Sequence, residues 1–160
     1  MGTYSWADVL FSIDGPSGAI SCGGADAAGV AKDGIAVSMS EDKGSLTTGV
    51  DGGYMHNLHV ASPGTITLRC LKTSILNAQL GAMYKGDTTS SARYGQNKIT
   101  IRDVVRGDDI EATGAGFRKL PDNAFGEDGG VMEWVFNCGL IDQTLGSGNA
   151  NQGVAVGLSA

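Results

Sequence analysis

Apolar and polar residues alternate with a period of two through most of the chain, the pattern of strands with one buried and one wet face. Ile35, Val37 and Met39 alternate with Ala36, Ser38 and Ser40, and Ile66, Leu68 and Cys70 with Thr65, Thr67 and Arg69. Ile99 and Ile101 repeat the pattern against Lys98, Thr100 and Arg102, and Asp109 to Lys119 is a hairpin partner across Arg106-Gly107-Asp108. An aromatic and β-branched run from Tyr4 to Ile13 predicts an opening strand, and Val131 to Leu140 the last one. The period changes once. Ser74 is a candidate N-cap, Leu76, Leu80, Met83 and Tyr84 form a single helical stripe, and Lys85-Gly86 ends it. That stripe faces the core, so the helix covers an open end or face of the strands. Gly15-Pro16-Ser17-Gly18, Asp51-Gly52-Gly53 and Glu127-Asp128-Gly129-Gly130 are turns. The expected fold is mainly β, a β-sandwich or small β-barrel with one short α-helix.

A chain of 160 residues is one domain by a prior of about 150 residues each, so residues 1–160 are expected to form a single unit. Two stretches fit a compact core poorly. Residues 41–63 are polar and glycine-rich and are expected to form an extended loop; residues 146–160 are small and uncharged and are expected to be disordered or to form a C-terminal arm. Glycine, at 26 residues, implies many tight turns. Eleven Lys and Arg against 17 Asp and Glu leave a net charge of −6, which argues against a protein that grips nucleic acid or an anionic membrane through a basic face. The sequence has neither a secretory leader nor a membrane-length apolar run, so folding in a cytosol is expected.

Little in the chain points to chemistry. Cys22, Cys70 and Cys138 lie too far apart for a zinc knuckle or redox dithiol and fall on the apolar parity of strand-like runs, which predicts buried thiols. Their odd number also leaves open a disulfide between subunits outside a reducing compartment. His56 and His59 lack the helical setting and flanking Glu of a zinc site, Asp51-Gly52-Gly53 lacks the alternating ligands of a calcium loop, and no phosphate loop or Gly-x-Ser-x-Gly elbow is present. Glu41-Asp42, Asp108-Asp109 and Glu127-Asp128 sit beside glycines, as solvated turn charge does. No catalytic residues, metal or cofactor are expected.

Several longer segments, in this order, resemble the tail tube proteins of contractile-tailed bacteriophages. They are Met39 to Lys43, Gly49-Val50-Asp51-Gly52-Gly53-Tyr54-Met55-His56-Asn57-Leu58-His59, and Gly64 to Ser74 with Asn77. The pattern continues through Tyr94 to Asp103, Phe117-Arg118-Lys119-Leu120-Pro121, and Gly129 to Phe136 leading to Ile141-Asp142 and Leu145-Gly146. The resemblance covers Thr3 to Gly146; the cysteines and the tail after Gly146 are not part of it.

The resemblance implies a structural virion protein, assembled in the bacterial host cytoplasm, whose hexameric rings stack into the inner tail tube. Neighbouring subunits' strands would close an inner β-barrel, sheath, baseplate and tail terminator proteins would be partners, and DNA would pass through without stable binding. An acidic subunit suits a conduit that must not retain a polyanion. Glu41, Asp42, Lys43, Asp51, Gly52, Gly53, Met55, His56 and His59 are then expected at contacts between subunits or rings. Two other classes compete: the tube of a type VI secretion or other contractile injection apparatus, and a small β-sandwich binding module, which would want more exposed aromatics than 2 Trp, 4 Tyr and 4 Phe provide.

Overall fold

The computed structural model describes residues 3–23 and 29–147. A short 3-10 turn at Trp6–Asp8 leads into β1 (Val9–Gly15), β2 (Gly18–Gly23), β3 (Val30–Met39), β4 (Gly44–Thr48), β5 (Tyr54–Leu58) and β6 (Gly64–Leu71). The helix α1 (Ile75–Asp87) follows, then β7 (Asn97–Asp103), β8 (Asp108–Phe117) and β9 (Val131–Thr144). Seven strands form one antiparallel sheet in the order β2-β1-β7-β8-β9-β6-β3, while β4 and β5 form a separate two-stranded sheet. The expected mainly β fold with one helix is realised as a single sheet curled into a half-barrel.

The period-two stripes supply its inner face. Phe11 and Ile13, Ile66, Leu68 and Cys70, Ile99, and Phe117, Trp134 and Phe136 are all buried in one cluster. β8 carries a local irregularity against β7. Gly114 adopts φ +64°, a left-handed conformation that L side chains rarely take, where the β7–β8 register shifts. Ala112 and Ala115 are consequently both buried, and so are Cys138 and Ile141 on β9. Each strand changes its inward parity at the bend.

The helix closes one end of the half-barrel. Ser74 Oγ accepts the Leu76 N–H at 3.1 Å, and Leu76, Leu80 and Met83 pack inward. Asn77 Nδ2 donates to the Leu71 carbonyl at 2.9 Å, and Asn77 Oδ1 accepts the Trp134 indole N–H at 3.0 Å. At its other end Asp87 is buried, accepting from Ser17 Oγ at 2.7 Å and Asn97 Nδ2 at 2.6 Å. The helix therefore runs from β6 to the β1–β2 turn, one turn residue beyond the Lys85-Gly86 stop. Ser74→Ala, which removes the cap, is expected to cost about 1 kcal/mol, read as a lowered urea midpoint with an unchanged slope.

Other boundaries also differ from the sequence reading. The opening strand starts at Val9, because the Ser5 side chain accepts from Ala7 N–H and turns the chain first. The last strand continues past Leu140 to Thr144, opposite Asp109. Asp108 and Asp109 lie in β8, not in a turn, and Asp108 Oδ1 accepts the Gly146 N–H at 2.8 Å. Residues 41–63 carry the β4–β5 hairpin. The expected arm lies outside the described residues from 148 onward.

The N-terminal segment is clasped at the β7–β8 turn. Arg106 pairs with Asp103, reaches Asp8 at 3.7 Å and the Thr3 carbonyl at 3.0 Å, and lies 4.5 Å above the Tyr4 ring. Burial works against the charge on Asp103, but the Arg106 and Val105 backbone N–H groups and the Arg106 guanidinium outweigh it and hold its pKa below the ordinary value. A lowered carboxyl stabilises the fold above its unfolded pKa of 3.8, and that stabilisation is lost as pH falls through the lower folded value. Asp103→Asn is expected to lose about 1.5–3 kcal/mol at neutral pH, with the gap from the parent shrinking in strong acid, as denaturant titrations at both pH values would show.

Candidate functional site

The β4–β5 hairpin projects from the body at the end where Met39 of β3 pairs with Gly64 of β6. Its register is Gly44↔Leu58, Leu46↔His56 and Thr48↔Tyr54, with Ser45↔Asn57 and Thr47↔Met55 between them. Residues directly opposite share a face, so the two faces differ in chemistry. One is a polar ladder in which Asn57 Nδ2 donates to Ser45 Oγ at 3.2 Å and Thr47 Oγ1 at 2.9 Å, with Met55 beside it. The other carries Leu46, Tyr54 and Leu58, which are 57%, 73% and 80% exposed. His56 stands edge-on to Tyr54, 5.7 Å between ring centres. A two-stranded hairpin is marginal in water, and among the described residues the apolar face of this one has no partner.

All nine residues expected at subunit contacts belong to this hairpin or its base. Asp51, Gly52 and Gly53 form the tip: Asp51 Oδ1 accepts the Gly53 N–H at 3.0 Å, and Gly52 sits at φ +87°. Met55 and His56 lie on β5, on opposite faces. At the base Lys43 Nζ donates to the Val60 carbonyl at 3.1 Å and Ser62 Oγ at 3.0 Å, and His59 N–H donates to the Lys43 carbonyl at 2.9 Å. Glu41 and Asp42 are exposed in the bend after β3. Sequence reasoning missed Leu46 and the apolar partition of the hairpin. The only signal is short: strand residues on both sides of a Gly-rich tip are a hairpin signature, and here each side has five.

The half-barrel also offers its edges. Among the described residues β2 and β3 each pair on one side only. The β3 edge is irregular between Val30 and Ile35, where the Trp6 ring packs against Gly34, and regular from Ile35 to Met39. An exposed regular edge is a template for another strand.

The three cysteines are buried thiols. Burial raises Cys70 to about 12, with the Cys22 thiol adding to it, and burial raises Cys138 to about 11. All three supply packing, and a bridge to another subunit would require one of them to leave the core. Among the described residues no group of three or more His, Cys, Asp or Glu could hold a metal.

The family model described as the bacteriophage PhiTE tail tube protein matches residues 1–146. A search of the curated proteins found no match. Among solved structures the chain is similar to one in the sheath-tube complex of PVC, an extracellular contractile injection system, in its extended state. Identity is 14%, 84% of this chain and 88% of that one are covered, and the TM-score is 0.51. It is also similar to a chain of the anti-feeding prophage tube-terminating cap, at 9% identity, with 91% and 94% covered and a TM-score of 0.52.

Proposed function

The chain belongs to the bacteriophage PhiTE tail tube protein family, and from that premise we propose that it is the subunit of a phage inner tail tube, assembling as hexameric rings that stack into a conduit for DNA. The family match over residues 1–146 carries this reading. The geometry adds, among the described residues, an apolar hairpin face without a partner and two sheet edges paired on one side only, features that a subunit destined for an assembly can leave exposed. Edges of adjacent subunits pair to close each ring, and the hairpin, with Glu41 to Lys43, the Asp51-Gly52-Gly53 tip, Met55, His56 and His59, reaches the next ring. Head-to-tail stacking is a heterologous contact that does not close, so it yields a filament.

Sheath, baseplate and tail terminator proteins are the partners of such a tube; a sheath-tube complex and a tube terminator are among the similar structures. The protein then resides in the virion tail after assembly in the host cytoplasm, acts without catalysis, and lets DNA pass without holding it. A second reading, the tube of a contractile injection apparatus with protein cargo, draws on the same structural likeness, and the genes adjoining this one discriminate the two. Size-exclusion chromatography with light scattering tests the assembly: six-fold multiples of the 16.3 kDa subunit are expected, and a persistent monomer at high concentration would contradict it.

A further inference from the structure

The two ends of the half-barrel differ in charge. Gly64 of β6 pairs with Met39 and with Cys138, and β9 then runs on to Thr144 opposite Asp109, so the hairpin base and the β7–β8 turn share one end. Leu71 pairs with Val131 at the other end of β6, where α1, the β1–β2 turn and residues 118–130 gather. At the hairpin end stand Glu41, Asp42 and Asp51 and, around the β7–β8 turn, Asp8, Asp108, Asp109 and Asp142. Three basic groups stand among them, Lys43 and Arg106, which are engaged within the chain, and the exposed Arg102 opposite Asp109, so the carboxylates remain in excess. At the helix end Lys72, Lys85, Arg93, Arg118 and Lys119 face the exposed carboxylates Asp14, Asp122, Glu127 and Asp128, so that end is near neutral with a slight basic surplus.

We infer that the hairpin end of one copy seats on the helix end of a second copy, and that this charge difference sets the direction of stacking. The inference rests on the tube reading and adds to it a receiving surface and a cause of polarity. Two hairpin ends face to face would set one acidic surface against another, a repulsion repeated by every subunit of a ring, whereas the helix end opposes it with a basic surplus. The apolar hairpin face has counterparts there in Ile75 and in Phe125, which is 85% exposed with Lys72 Nζ 3.9 Å from its ring centre.

Lys85 and Arg93 are exposed at the receiving end. The variant Lys85→Glu, Arg93→Glu turns that end acidic without touching the core. At about 0.05 M salt its tubes, counted by electron microscopy, are expected to fall at least about tenfold against the parent while rings persist, and to return at about 0.5 M salt, where screening shortens the field to a few ångströms. Adding Glu41→Lys and Asp42→Lys in the same chain restores tubes at low salt. Parent-like tubes from the first variant at low salt, or a loss that neither salt nor the compensating pair relieves, overturns the inference while leaving the tube reading intact. A parent protein that forms no tubes at either salt removes the tube reading itself.

Discussion

Replacing Leu46 and Leu58 by aspartate is expected to leave the subunit folded and to abolish tubes. Both side chains stand on the exposed face of a hairpin that has its own two-stranded sheet, so the curled sheet loses nothing when they change. Surface substitutions of this kind fall within about 0.5 kcal/mol of the parent in stability. At a contact between rings the accounting is different. Burying a leucine is worth about 1.5–3 kcal/mol, so two per subunit lost from the interface weaken it by at least about a hundredfold, before the cost of desolvating two carboxylates. The effect is repeated by each subunit of a ring. Thermal melts and far-ultraviolet circular dichroism read the first half of the prediction and electron microscopy the second. Tubes of normal length from the variant would show that this face is not an interface.

The largest effect on folding is expected from Trp134→Ala. Trp134 is buried on β9, lies edge-on to Phe117 with 5.8 Å between ring centres, and donates its indole N–H to Asn77 on the helix. Truncation removes the aromatic contact, opens a cavity beneath α1 and frees Asn77 from the sheet. The expected loss is about 3–5 kcal/mol, a large share of the roughly 5–15 kcal/mol that holds a domain together, and a fall in Tm of about 10 °C. Trp134→Phe keeps most of the packing and drops only the hydrogen bond, so it should cost about 1–2 kcal/mol. Equal losses from the two variants, in urea titrations, would mean that the hydrogen bond and not the packing carries the site.

How far the sequence could be read follows from where each residue gets its instructions. The strands at Ile66 to Cys70 and Ile99 to Ile101 were legible because each repeats its period locally, and the helix because Ser74 and its stripe are local signals too. The bend at Gly114 was not legible: the parity change from Ala112 to Ala115 takes its meaning from the strands on either side. The hairpin was half legible. Its tip, Asp51-Gly52-Gly53, announced a turn, but Leu46 and Leu58 alternate over too few residues to stand out against the glycine-rich background. Trp6 and Arg106 were silent, because their partners at Gly34, Thr3 and Asp8 are brought together only by the tertiary fold. The carboxylates can be counted in the sequence, yet the acidic excess at one end of the strands follows from register, which composition does not contain.

The central claim is that this chain is a tube subunit whose rings stack through the β4–β5 hairpin. Cryo-electron microscopy of the purified protein, reconstructed as a helical assembly, tests it most directly. The expected result is a hollow tube of stacked rings in which the Leu46, Tyr54 and Leu58 face is buried against the helix end of the next ring. A tube in which that hairpin stands free in solvent would contradict it.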